Sequence, residues 1–383
     1  MPNDLAIPAT LLPRDGRFGS GPSKIRDEQL DAIRAAQPGI LGTSHRQAPV
    51  RNLVGDVRTM LSDFFRLPNG YEVILGNGGS TLFFDAAAFA LVRAKAQHCV
   101  FGEFGAKFAK ATNGAPHLDT TSVIEAEAGS IALPVAKEGI DTYAWPHNET
   151  STGAMAPVTR PAGIGDALVL VDGTSAAGGT VVDVSQTDAY FFAPQKNFAS
   201  DGGLWFAVVS PAAITRIEEI AESGRHIPAT FSLKDAIDNS RLNQTLNTPA
   251  ITTLLLMRAQ LEWLLAQGGM DFAVARTADS SGRLYSWAEA AEFAEMFITQ
   301  PSHRSSVVGT VDLVGVDSGT LRKVLKENGI VDIDPYRKLG RNQIRVGMFP
   351  AVDPDDVSAL TACIDWVVER LGKQEGPGEA SPA

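Results

Sequence analysis

Only two cysteines occur in the 383 residues, Cys99 and Cys363, far apart and each in apolar surroundings. That count excludes a disulfide framework, and no cysteine or histidine spacing suits a metal ion, so none is expected. A reducing, cytoplasmic setting fits such cysteine usage best. Basic residues are also in short supply: 33 Lys and Arg stand against 44 Asp and Glu, a net charge of −11. Nucleic acid and anionic membranes both demand a basic footprint, so neither is an expected partner. A small anionic substrate stays open, because a pocket needs only a few local cations. No apolar run reaches membrane-spanning length; the longest, about 86–92, suits a core helix. The opening residues MPNDLAIPATLLPRDGRF lack a basic stretch followed by an apolar one, so no signal peptide is expected.

What is present describes an ordinary globular chain, 44% hydrophobic and 20% charged. Its length implies two domains. Residues 1–19 read as an extended arm in which Pro8 and Pro13 oppose helix. Residues 374–383, small, polar and rich in Pro and Gly, read as a disordered tail. Between them, continuous apolar runs such as YEVIL (71–75), ALVLVD (167–172) and GLWFAVVS (203–210) alternate with helical patterns. Helices are expected at about 52–67 and 82–92, whereas 115–140 shows no clear pattern. Strands of this kind indicate an α/β fold with a mostly parallel sheet covered on both faces. From about 270 the pattern shifts to a smaller α+β unit. The expected division is a large domain over 20–268 and a small one over 269–373.

The chain is organised around residues 189–203, AYFFAPQKNFASDGG. A buried strand breaks at Pro194 and delivers Gln195, Lys196 and Asn197 into a loop. Partial burial lowers an ammonium pKa and frees the amine as a nucleophile, most often toward a carbonyl. Pyridoxal phosphate chemistry needs such a lysine, an acid for the pyridine nitrogen, an anion cradle and a ring clamp. Asp172, ending ALVLVD, suits the acid. The loop GNGGST (76–81), opening a helix, suits the phosphate, with Ser80 and Thr81 adding hydroxyl donors. Phe104 could stack on the ring, and Thr150 could reach its hydroxyl or phosphate. Asn247 and Thr248, just before a helix with Pro249 in its first turn, form a second plausible anion site. Substrate carboxylates and phosphates call for arginine, with His45, Arg46 and Arg345 as candidates and Arg337, Lys338 and Arg341 in a basic loop.

Taken together, FGSGPS, GTSHRQ, GNGGST, HNETSTG, VDGTSAAGG, FAPQKNFASDGGLW, NTP and YRKLGRNQIRVGMFPAV occur in this order and closely resemble the phosphoserine aminotransferase family, in its actinobacterial form. The resemblance covers all but the two tails. It implies a fold type I pyridoxal-phosphate enzyme with a seven-stranded sheet, working as a homodimer with shared active sites. Lys196 matches the lysine that holds the cofactor covalently, and Asp172 the partner of its pyridine nitrogen. Gln195, Thr150, Gly79 and Ser80 match cofactor-binding positions, while Asn247 and Thr248 match phosphate contacts from the neighbouring subunit. His45 and Arg46 match substrate contacts across the interface, and Arg345 the carboxylate arginine. The implied substrates are glutamate and 3-phosphohydroxypyruvate, with 4-phosphohydroxythreonine of pyridoxine synthesis as a further one. The alternative is another fold type I aminotransferase, such as one acting on alanine and glyoxylate. Two departures stand out. Phe104 replaces a common tryptophan, and a His-Arg pair before Arg345 is missing, which leaves Lys338, with Arg337 or Arg341, to grip the substrate phosphate.

Overall fold

A computed structural model describes residues 5–374. The larger sheet contains β1 (Glu72–Asn77), β2 (Ala96–Val100), β3 (Ser122–Glu125), β4 (Thr142–Pro146), β7 (Leu168–Asp172), β8 (Ala189–Phe192) and β9 (Leu204–Val209). Between β4 and β7 lies a two-stranded hairpin, β5 (Asn148–Glu149) with β6 (Ala154–Met155). The order across the sheet is β1-β9-β8-β7-β4-β2-β3. Only β9 runs against the rest, pairing antiparallel with both β1 and β8.

Alternation along the central strands explains why two helical layers are needed. Val169, Val171, Tyr190, Phe192, Phe206 and Val208 face one core. Their neighbours Leu168, Leu170, Ala189, Phe191, Ala207 and Val209 face another. Successive strand side chains point to opposite faces, so an apolar residue at every position demands cover on both sides. The first core is closed by α2 (Ala48–Phe65) and α7 (Ile251–Gln267), with α1 (Asp27–Ala35) packed on α7. The second is closed by α3 (Ser80–Ala90), α4 (Glu103–Gly114), α5 (Pro211–Glu222) and α6 (Leu233–Arg241).

A smaller antiparallel sheet, β10 (Ala294–Met296), β11 (Val308–Leu313) and β12 (Gln343–Gly347), follows helix α8 (Met270–Ala290). It packs with α8, α9 (Ser318–Glu327) and α10 (Pro354–Gln374) around Leu284, Val311, Leu321, Ile344, Val346 and Ile364. Ile7 and Phe18 of the N-terminal arm belong to this same core. The arm is pinned there by Val331 N donating to Gly16 O (2.8 Å) and Gly347 N to Phe18 O (2.7 Å). Gly347 is required, because a Cβ there would lie 2.3 Å from Gly19 O.

Several boundaries differ from the sequence reading. Helix α2 starts at Ala48 rather than near 52, because proline in a first turn loses no hydrogen bond. Strand β1 runs to Asn77 because Gly76 and Asn77 still pair with Trp205 and Leu204, and α3 begins at once at Ser80. The glycine loop is thus two residues, not six. Helix α6 was not anticipated; its start is fixed by the Ser232 side chain accepting from Asp235 N. Of 115–140, only the edge strand β3 is regular. The proposed tail lies outside the described residues from 375 onward, and Gln374 still belongs to α10. Phe191 anchors the second core, fully buried and stacked on Phe83 at 4.3 Å. Phe191→Ala is expected to cost about 3–5 kcal/mol in urea unfolding.

Candidate active site

Strands β7 and β8 are parallel neighbours, with Asp172 in register with Phe191. Their carboxyl ends therefore release Asp172 and the Gln195–Lys196 turn at the same edge of the sheet. Lys196 Nζ donates to the carbonyl of Ser20 at 2.7 Å, and Ser23 N donates to Gln195 O at 2.8 Å. The arm thus crosses from the small sheet to cover the lysine. It can do so only through glycine: a Cβ on Gly21 would lie 1.8 Å from Lys196 Nζ, and its φ is +143°. Burial, aided by the positive charge of Arg345 and opposed by Asp172, lowers the Lys196 ammonium to about 8.

Asp172 is buried, and loss of water is the largest influence on it, raising its carboxyl to about 6. Thr174 opposes this shift, its N–H donating to Asp172 Oδ1 at 2.8 Å and its hydroxyl to the same oxygen. Thr174 Oγ1 also lies 2.6 Å from Ser80 Oγ in the first turn of α3. One threonine, missed by the sequence reading, therefore ties the acid to the anion cradle. In that cradle Gly79 caps the helix and borders open space, since a Cβ on it would meet nothing within 4 Å. The first N–H groups of α3 and the hydroxyl of Ser80 are the natural anion donors.

Arg345, on β12, reaches across from the small sheet and donates from Nη1 to Thr150 O at 3.1 Å. Its guanidinium lies 5.5 Å from the Tyr336 ring centroid, and burial pushes its pKa down. Arg345 Nε and Gln195 Oε1 are buried without a hydrogen-bond partner among the described residues. Unsatisfied buried polar atoms of this kind mark a place where a ligand completes the bonding. An acid for a ring nitrogen, a lysine, an open anion cradle and unpaired polar atoms match what pyridoxal phosphate requires.

Phe104 sits in the first turn of α4. Its backbone N–H donates to Glu149 Oε2 at 3.0 Å, and its ring centroid lies 6.4 Å from that of Tyr336. Lys338 is close by, paired with Glu103 at 2.5 Å. Arg341 is committed elsewhere, forking onto Asp312 of β11. His45, Arg46, Asn247 and Thr248 form a second, more exposed cluster. Thr248 Oγ1 and His45 Nδ1 are 3.1 Å apart, Arg46 bonds Gln244, and Asn77 Nδ2 donates to Thr248 O at 2.9 Å. Leu242 and Leu246 beside it are 56% and 36% exposed, unusual for leucine.

Known proteins resemble this chain in sequence and in fold. The family model described as aminotransferase class V matches residues 20–332. A phosphoserine aminotransferase of Nocardioides sp. is 58% identical over 374 residues, covering 97% of this chain and all of its own length. A Mycolicibacterium vanbaalenii relative, provisionally named for the same activity, is 61% identical over 372 residues, again covering 97% of this chain and all of its own. Among solved structures, phosphoserine aminotransferase from Cytophaga hutchinsonii superposes with a TM-score of 0.84 at 21% identity, over 91% of this chain and 98% of that one. The enzyme from Bacillus circulans subsp. alkalophilus gives 0.82 at 20% identity, over 94% and 99%. The chain belongs to the class V aminotransferases, fold type I enzymes that depend on pyridoxal phosphate.

Proposed function

We propose that this enzyme moves an amino group from glutamate to 3-phosphohydroxypyruvate, giving 2-oxoglutarate and O-phosphoserine. The observation that carries the reading is that Asp172 and Arg345 both lie close enough to Lys196 to act on its charge. The names of relatives at about 60% identity support the same chemistry.

Pyridoxal phosphate bound here supplies an electron sink for the charge left when an α-proton departs. The rest falls to the chain. Asp172 would accept a hydrogen bond from the pyridine nitrogen, a charge-assisted bond that favours its protonated form. Gly79, Ser80, Gln195 and Thr150 would hold the phosphate and ring hydroxyl, and Phe104 would supply the stacking face. Arg345 takes the carboxylate that both substrates share, using the Nε that has no other partner among the described residues. Lys196 Nζ removes the α-proton and redelivers it, a task for which a pKa near 8 is suited. Ser20 O holds that nitrogen in place while it is free.

The acceptor's phosphate needs cations. Lys338 pairs with Glu103, the residue before Phe104, whereas Arg341 is bound to Asp312, so Lys338 is the better candidate. His45, Arg46, Asn247 and Thr248 serve the site of a second copy in a homodimer, with exposed Leu242 and Leu246 among the surfaces so covered. The same pocket would accept 4-phosphohydroxythreonine, a larger phosphorylated amino acid of pyridoxine synthesis. Two unpaired, buried cysteines suit a cytoplasmic enzyme. Among the described residues no helix is long and apolar enough to cross a membrane.

Steady-state rates with 3-phosphohydroxypyruvate and with unphosphorylated hydroxypyruvate test the assignment. The phosphorylated acid should be strongly preferred, and preference for the other acid, or for glyoxylate with alanine, would refute it. Lys338→Ala should raise KM for the phosphorylated acceptor about tenfold, the usual scale for one charged hydrogen bond, and leave KM for glutamate unchanged. The lysine's electrostatics can be read without cofactor. Because its pKa is lowered, Lys196 is neutral above about pH 8 rather than above 10.5. Its modification by trinitrobenzenesulfonate, followed by peptide mass, should be half-maximal near that pH. Asp172→Asn removes the charge that favours the ammonium and should move the midpoint down; Arg345→Gln should move it up.

A further inference from the structure

Glu149 is the most completely buried carboxylate near the site, with no exposed surface, and no step above uses it. It lies in the hairpin strand β5, one residue before Thr150. Both of its oxygens are occupied. Oε2 accepts the backbone N–H groups of Phe104 and Gly105, each at 3.0 Å. Oε1 accepts Ser151 N at 3.2 Å and Ser151 Oγ at 2.7 Å. Ser151 Oγ in turn accepts Glu103 N at 3.0 Å. Every N–H of the first turn of α4 from Glu103 to Gly105 is therefore bound by this carboxylate or by the hydroxyl it orients. The chain makes room for it, since a Cβ on Gly102 would stand 2.2 Å from Glu149 Cγ.

A helix N-terminus of this kind is ordinarily capped by the residue just before it. Here that residue is glycine with no side chain, and the cap arrives from a different strand 45 positions later. A local serine or aspartate cap would stabilise α4 equally well. A cap borrowed from β5 does something more: it fixes the height of Phe104 relative to the hairpin that carries Thr150. We infer that Glu149 is a positioning residue that locks the Phe104 ring in register against the cofactor ring. The inference rests on Phe104 being the stacking partner of that ring.

The charge of Glu149 has a second effect in the same direction. Burial raises the Asp172 carboxyl most, and the negative charge of Glu149 raises it further.

A double-mutant cycle on cofactor affinity tests the idea without turnover. Cofactor-free wild type, Phe104→Leu, Glu149→Gln and the double variant are titrated with pyridoxal phosphate by tryptophan fluorescence, and their melting temperatures are measured alongside. Each single change should raise Kd about tenfold, and the double variant should fall within about twofold of the weaker single, because both act on one contact. A purely structural Glu149 would lower the melting temperature while its effect multiplied with that of Phe104→Leu, to about a hundredfold. That outcome, or an unchanged Kd in Glu149→Gln, overturns the inference and leaves the stacking role intact. An unchanged Kd in Phe104→Leu removes the stacking role itself, and the inference with it. If Glu149→Gln does not fold, Ser151→Ala takes its place in the cycle, since it deletes the bridging hydroxyl and keeps the carboxylate.

Discussion

Three charged groups meet at one largely buried site, and Lys196 feels both of the others. Lys196 is lowered by burial and Arg345, and held up by Asp172. Asp172 is raised by burial, while Lys196 pulls it back. Charges interact far more strongly where water is displaced, so no one of them can be changed alone. The architecture exists to hold them there. Strands β7 and β8, apolar on both faces, place Asp172 and Lys196 at one sheet edge, and β12 brings Arg345 from a different sheet.

Much of this is legible in the chain because it is written in continuous stretches. The runs ending at Asp172 and Ala193 announce buried strands, and the residues that follow them fall where ligands bind. Arg345, an arginine inside an apolar strand, announces a need for a partner. Other features are not local and leave little trace. Thr174 reads as a turn residue, and nothing nearby says that its hydroxyl meets Ser80, 94 positions earlier. Glu149 reads as one polar residue among several in HNETSTG, because its partners lie on α4. The signals available in retrospect are small residues: Gly102 before α4 and Gly21 in the arm, each at a point where another side chain passes too close for a Cβ.

The basic loop illustrates the opposite case. Lys338 and Arg341 are equivalent as a pattern, and the difference between them is which carboxylate each one meets. Asp312 on β11 engages Arg341, whereas Lys338 meets Glu103 beside Phe104. Exposed pairs of this kind contribute little to stability, so the Lys338 contact is easily exchanged for another anion.

The arm that covers Lys196 also bears on how the molecule is assembled. Its contacts are with residues at the far end of the chain: Ile7 N bonds Asn328, 321 positions away, and Arg14 N bonds Asp356, 342 positions away. During synthesis the arm leaves the ribosome long before these partners do. The large sheet can gather its strands while the arm still has nothing to bind. The carbonyl that holds the lysine nitrogen is thus brought into position only when the small sheet closes on residues made long before it.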